Sequence, residues 1–116
     1  MLILKDVNKN TPGTVFKYKV MGTEIGLKIK PLTSDISETL RKENPKEDDH
    51  TDALIDHVLE GFSGIGDENG PFGMTLENKK RVMNIPGVDG VPGVSAFVFN
   101  EAKKLALGIR EMELKN

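Results

Sequence analysis

The chain has 116 residues, of which 37% are hydrophobic and 29% charged, and this balance predicts one folded domain spanning residues 1–116. Sixteen Lys and Arg stand against 18 Asp and Glu, so the net charge of −2 argues against a general attraction to nucleic acid or to an anionic membrane. The absence of Cys excludes disulfides, thiolate zinc sites and a cysteine nucleophile. No apolar stretch is long enough for a signal peptide or a membrane span, so we expect a soluble, cytoplasmic protein.

A β-hairpin is predicted over residues 14–30. Apolar residues alternate with polar ones, mostly lysines, from Phe16 to Val20 and again from Ile25 to Ile29. This period of two places each apolar set on one face of a strand. Residues 2–4 are a candidate for a further strand. Because an isolated hairpin is only marginally stable in water, its apolar face requires cover from helices or from another chain.

Two helices are predicted after Pro31. Ser34 is a candidate N-cap for the first, which would run from Asp35 to Glu43 and end before Asn44-Pro45. The second helix is predicted over residues 49–62, because apolar residues recur there at spacings of three and four.

The second half of the chain is predicted to contain a loop and two more helices. The Gly- and Pro-rich residues 63–73 predict a loop, and Thr75 is a candidate cap for a helix over residues 76–84. Pro92 is a candidate first helical residue of the last segment. From Val94 to about Leu114 the spacing of the apolar residues is helical. These elements predict an α+β fold, in which an N-terminal antiparallel β-hairpin packs against about four α-helices that occupy residues 34–114.

No catalytic, cofactor-binding or metal-ligating residues are predicted, so we expect a protein that is not an enzyme. An EF-hand frame placed on the acidic turn at residues 67–70 puts Ile65 and Leu76 at its ligating ends. His50 and His57 lie two helical turns apart with no ligand between them, and we expect them on the wet surface. The basic run at residues 79–81 is interpreted as a solvated face rather than a nucleic-acid site.

The last predicted helix is apolar on more than one side. Leu107 and Ala96 fall opposite its main apolar stripe, and Phe99 lies at the margin of that stripe. Such a helix is usually buried on more than one side, either within its own fold or by a partner or second copy. The residues predicted to bind a protein partner are Phe97, Phe99, Leu105, Leu107 and Met112.

The order of these parts resembles that of the tail assembly chaperones of long-tailed bacteriophages and prophages. The hairpin is followed by PLT (31–33), a polar helix and LIDHVLEG (54–61). FSGIGDENG (62–70) then resembles the family pattern W-x-G-[IV]-x-D-x-x-G, with Phe62 where Trp is common. MTLENKKRVM (74–83) resembles the helix start T-x-E-N that follows it. The resemblance covers roughly residues 16–83.

The resemblance implies a non-enzymatic chaperone in the host cell cytoplasm that binds the long helical tape-measure protein during tail assembly. It implies no catalytic residues and no cofactor. A homo-oligomer, as well as a complex with this partner, is compatible with the sequence. Two alternatives stay open: a small structural subunit of a phage tail or head, and a small ligand-binding or hydrolytic domain with dispersed site residues. A polar pocket around His50 or His57 would favour the last of these.

Overall fold

The computed structural model describes residues 7–88 and 90–107. The predicted hairpin is confirmed: strand β1 (Thr14–Val20) pairs antiparallel with strand β2 (Thr23–Ile29). Met21 and Gly22 form the two-residue turn, with φ angles of 48° and 80°. Two positive φ angles in succession are what a type I′ turn requires, and this turn matches the twist of the strands. The candidate strand at residues 2–4 lies outside the described residues.

The first helix, α1 (Ser34–Glu43), is confirmed, but its predicted cap is wrong. Thr33, not Ser34, is the N-cap, and its hydroxyl oxygen accepts a hydrogen bond from the Ile36 backbone N–H at 3.1 Å. The capping residue must be the last one with extended backbone, and Ser34 is already helical. Asn44 ends the helix before Pro45, as predicted.

The second helix is shorter than predicted, and its last part is a strand. Helix α2 (Glu47–Val58) is followed directly by strand β3 (Leu59–Ser63), which pairs antiparallel with β2. The register shifts at Lys28 and Ile29, so Glu60 is an extra residue without a cross-strand partner. This bulge turns Leu59 and Phe62, three residues apart, toward the same buried side of the sheet. The three-residue spacing of Leu59 and Phe62, which led to the prediction of a helix, therefore arises here from a bulged strand.

The rest of the chain follows the predicted order with smaller differences. The predicted loop contains a minimal hairpin of β4 (Gly66–Asp67) and β5 (Gly70–Pro71), followed by helix α3 (Leu76–Met83) with Thr75 as its cap. Helix α4 (Val94–Ala106) has Gly93 as its N-cap, so Pro92 is not its first residue. Residues 108–114 of the predicted helix lie outside the described residues.

The core lies between the three-stranded sheet, in the order β1-β2-β3, and the helices that cover one face of it. Leu32 N–H donates to Ala102 O at 3.1 Å, which ties the entry to α1 onto α4. The fold is therefore α+β, as predicted, with a third strand added to the hairpin. The fully buried side chains of this core include Leu27, Ile29, Val58, Leu59, Val82, Val94 and Val98.

Candidate protein-interaction surfaces

The residues predicted to bind a partner occupy different environments. The Phe97 ring stacks on Tyr18 at a centroid distance of 4.4 Å and meets the edge of Phe16 at 6.0 Å, so it packs inside the molecule. Leu105 is half-buried and packs against the core. Met112 lies outside the described residues. Phe99 is also half-buried and packs against the core. The part of the prediction that concerns an outward surface therefore rests mainly on Leu107.

Helix α4 carries a second stripe on the side away from its buried residues. Ala96, Phe99, Lys103 and Leu107 follow one another at spacings of three and four, which places them on one face of the helix. Phe99 is half-buried and part of its ring packs against the core, whereas Ala96 and Lys103 are exposed. The Leu107 side chain is 59% exposed at the end of the helix. We call these four residues the outer α4 stripe. A partner helix could cover it.

Both histidines are buried, so their predicted place on the wet surface is wrong. His57 Nε2 lies 3.0 Å from Pro31 O, and His50 Nε2 lies 3.3 Å from Ser37 O. Each ring thus bridges α2 to a backbone carbonyl in or just before α1. Burial lowers the pKa of His57, against the opposing effect of the Pro31 carbonyl, and nearby Lys30 and Lys9 lower it further. His57 is therefore a structural hydrogen-bond donor near neutral pH.

A polar cavity of about 410 Å³ lies beside His57, which is the feature that would favour a ligand-binding or hydrolytic domain. Its charges are balanced within the chain. The three lysines on its wall pair with three carboxylates on the same wall: Lys79 with Asp56 at 2.9 Å, Lys9 with Glu43 at 3.5 Å, and Lys30 with Glu60 at 4.0 Å. Because these cations already have partners, the cavity does not present an uncompensated charge to a ligand.

The burial of His57 predicts a loss of stability in mild acid. Its folded pKa lies below the unfolded value of 6.5, so the unfolded chain binds more protons in this range. The stabilisation is complete above pH 6.5 and is lost as the pH falls through the folded pKa. His57→Gln keeps an N–H donor for Pro31 O but does not titrate, so urea unfolding between about pH 8 and pH 5 should show a flatter pH dependence than in the wild type. An unchanged pH dependence in this variant would contradict the assignment.

The acidic turn between β4 and β5 is held by contacts within the chain. Asp67 Oδ1 accepts a hydrogen bond from Asn69 N–H at 2.8 Å, and Arg81 Nη1 lies 4.0 Å from Asp67 Oδ2. The Arg81 guanidinium also lies 4.3 Å from the centre of the Phe72 ring. Among the residues that the structure describes, no group of three or more His, Asp or Glu side chains is placed to hold a metal ion.

The basic run at residues 79–81 is engaged in ion pairs with neighbouring elements. Lys79 pairs with Asp56 at 2.9 Å, Lys80 with Asp52 at 3.0 Å, and Arg81 with Asp67. The first two contacts attach α3 to α2, and Lys79 Nζ also donates to Asp56 O at 3.2 Å. This run therefore connects secondary-structure elements instead of forming an open cationic face.

An apolar groove lies between the end of β1 and the segment before α4, and the sequence analysis did not identify it. Val88 and Val91 exchange backbone hydrogen bonds of 3.0 and 3.1 Å, which fixes a tight turn with both side chains exposed. The Tyr18 hydroxyl donates to Pro92 O and joins this turn to β1. We call this the hairpin-tip groove; it has a volume of about 260 Å³. Its walls are Tyr18, Lys19, Val20, Met21, Gly22, Pro86, Val88, Val91 and Pro92.

A signal for this turn was present in the sequence. Asp89-Gly90 between two valines is a common two-residue hairpin sequence. Within the described ranges, none of the helices has both the length and the apolar character that crossing a membrane requires. Comparisons of the chain with protein-family models, with curated proteins and with solved structures gave no significant match.

Proposed function

We propose that this chain is a non-enzymatic phage tail assembly chaperone that binds the tape-measure protein in the host cell cytoplasm. The outer α4 stripe carries the proposal, because Leu107 leaves apolar surface available beside the partly exposed Phe99, eight residues earlier on the same helical face. An amphipathic partner helix could bury its apolar face against such a stripe. The order of motifs over residues 16–83, which resembles this chaperone family, supplies the identity of the partner.

The chemistry around His57 supports a binding role over a hydrolytic one. The His57 ring is engaged with Pro31 O, and the lysines of the neighbouring cavity are paired with carboxylates. A general base has to reach a substrate proton directly or through one water. The Nε2 atom of His57 is instead used to hold α2 against the chain that leads into α1.

Co-expression with amphipathic helical segments of a tape-measure protein tests the proposal. The full-length chain is expected to keep such a segment soluble and to co-purify with it. Leu107→Ser should reduce the recovered segment by about fivefold to tenfold, the size of effect expected for one central apolar contact. The matched control is Met74→Ser, which removes another exposed apolar side chain far from α4 in sequence and should leave recovery unchanged.

Two results would count against this function. If no tape-measure segment is kept soluble by the wild-type chain, the chaperone role is wrong. If the chain is abundant in purified virions and does not bind the tape-measure protein, it is a structural subunit of the particle. Equal recovery with Leu107→Ser and Met74→Ser would instead move the binding surface away from the outer α4 stripe.

A further inference from the structure

Among the residues that the structure describes, β1 is an edge strand of the main sheet, and we call its unpaired side the open edge. The strand order β1-β2-β3 gives β1 a neighbour on one side only. Among the described residues, no backbone hydrogen bond is made to the other side of β1. An edge of this kind presents a row of N–H and C=O groups that another strand can pair with.

The register of the hairpin shows which backbone groups point outward. Val20 and Thr23 flank a two-residue turn, so they form a hydrogen-bonded pair. Hydrogen-bonded pairs then alternate along the ladder and include Tyr18 with Ile25 and Phe16 with Leu27. The backbone N–H and C=O groups of Val15, Lys17 and Lys19 therefore point away from β2, toward the open edge.

The two faces beside this edge differ in chemistry. Lys17 and Lys19 lie on the outer face of the sheet. Lys17 forms a 3.9 Å contact with Glu24 in which both side chains are largely exposed. Such exposed pairs are weak and exchange readily. On the other face, the end of β1 borders the hairpin-tip groove, which is mostly apolar although Lys19 contributes to its wall. A strand docked on this edge would thus have cations on one side and apolar surface on the other.

The groove is suited to side chains of a docked segment more than to a free small molecule. Its volume of about 260 Å³ is below the range of about 300–1,000 Å³ that is typical of small-molecule sites. Its wall is apolar at Val88 and Val91, and the hydrogen bond from Tyr18 to Pro92 O holds the two sides together. Apolar anchor residues of protein partners commonly fill pockets of this kind.

The described chain before β1 turns away from the open edge. Gly13 N–H donates to Glu60 Oε1 at 3.4 Å, and Lys30 Nζ donates to Lys9 O at 2.7 Å. Glu60 belongs to β3, on the far side of β2 from β1. The Lys28 ammonium, 2.8 Å from Glu60, keeps the pKa of Glu60 below its usual value, so this anchor is ionised at neutral pH.

A second copy of the chain is disfavoured in the registers that use the whole lysine-bearing part of the edge. Antiparallel pairing of β1 with itself about Lys17 places Lys17 opposite Lys17 of the other copy. Pairing about Tyr18 places Lys17 opposite Lys19. These are the registers centred on the middle of the exposed lysine row; a register about Phe16 avoids the clash, and the dimer test below covers it. Like charges directly opposite one another destabilise a sheet, and edge lysines are a common means of preventing such pairing.

We propose that the open edge of β1 binds an extended protein segment in which acidic and apolar residues alternate. The acidic side chains would lie opposite Lys17 and Lys19, and the apolar side chains would enter the hairpin-tip groove beside Val88 and Val91. Main-chain hydrogen bonds provide affinity in this mode, and the alternating side chains provide specificity. This site is separate from the outer α4 stripe and does not depend on the proposed chaperone function.

A short capped peptide of alternating glutamate and valine is the probe, measured by fluorescence anisotropy with the full-length chain. Antiparallel binding is expected, and N-methylation of the glutamates should abolish it, because in an antiparallel pair the residues opposite Lys17 and Lys19 direct their N–H groups toward β1. N-methylation of the valines, whose N–H groups face solvent, should leave it unchanged. This pair of peptides separates strand pairing from simple charge attraction.

Substitutions in β1 give the matching test on the protein. Lys17→Pro removes an N–H that faces the open edge and leaves the pairing with β2 intact. Proline is tolerated at such edge-strand positions because their N–H groups do not take part in the sheet. Lys17→Pro should weaken binding more than Lys17→Ala, which keeps the N–H and loses only the charge. Val88→Ser should weaken binding by about tenfold, whereas Met74→Ser should have no effect.

Several outcomes would overturn the proposal. One is that the alternating peptide does not bind, or binds equally after N-methylation of its glutamates. Another is slow hydrogen exchange at the Lys17 and Lys19 amides of the peptide-free protein, which would show the edge to be covered by the chain itself. A dimer that Lys17→Pro dissociates would assign the edge to a second copy.

Discussion

Leu59→Ala is expected to lower the free energy of unfolding by about 2–5 kcal/mol, the range for removing a buried leucine side chain beyond its first carbon. Leu59 is fully buried at the point where α2 ends and β3 begins. Its loss would leave a cavity beneath the sheet, beside Ile29 on the paired strand. Urea unfolding followed by circular dichroism measures the change.

Leu107→Ala is the matched control for this substitution. The same side chain is removed at a position that is 59% exposed, so the free energy of unfolding should change by no more than about 0.5 kcal/mol. Equal losses for the two variants would contradict the burial of Leu59, and with it the placement of β3 against β2.

Gly87→Ala is expected to destabilise the chain by about 1–3 kcal/mol and to disturb the hairpin-tip groove. A Cβ atom at position 87 would collide with Val91 O and would lie 2.9 Å from Gly93 N. Both are backbone atoms, so relief requires the Val88–Val91 turn or the start of α4 to move. Urea unfolding gives the energy, and the amide chemical shifts of Val88 and Val91 report the movement.

Gly73→Ala serves as the control for this effect. Beyond its own residue and the two adjacent ones, a Cβ atom there would have no heavy atom within 4 Å, so the substitution should be neutral or slightly stabilising through the lower entropy of the unfolded chain. If Gly87→Ala behaves in the same way, the backbone does not approach Gly87 as closely as described, and the groove has a different shape.

Local patterns were sufficient for the hairpin and for most of the helices. Apolar and polar residues alternate from Phe16 to Ile29, which predicts that the apolar side chains share one face of the hairpin. In the structure that apolar face is the one packed against the core. Thr75 acts as a cap through its own side chain, which accepts a hydrogen bond from Asn78 N–H at 3.1 Å. Features of this kind are decided by neighbours in sequence, so a sequence pattern can indicate them.

The errors arose where distant partners decide the structure. The spacing of Leu59 and Phe62 fits a helix and a bulged strand equally, and pairing with β2 selects the strand. The histidines are polar, and their burial depends on the carbonyls of Pro31 and Ser37, which no local pattern reveals. The open edge of β1 likewise follows from the strand order and not from the sequence of β1.

We propose that this protein acts by binding another protein through apolar surface. NMR chemical-shift mapping of the full-length chain with a bound tape-measure segment tests it most directly. The account predicts changes along the outer α4 stripe, centred on Phe99 and Leu107, with little change around His57. Changes confined to the polar cavity beside His57, with the α4 signals unmoved, would contradict it.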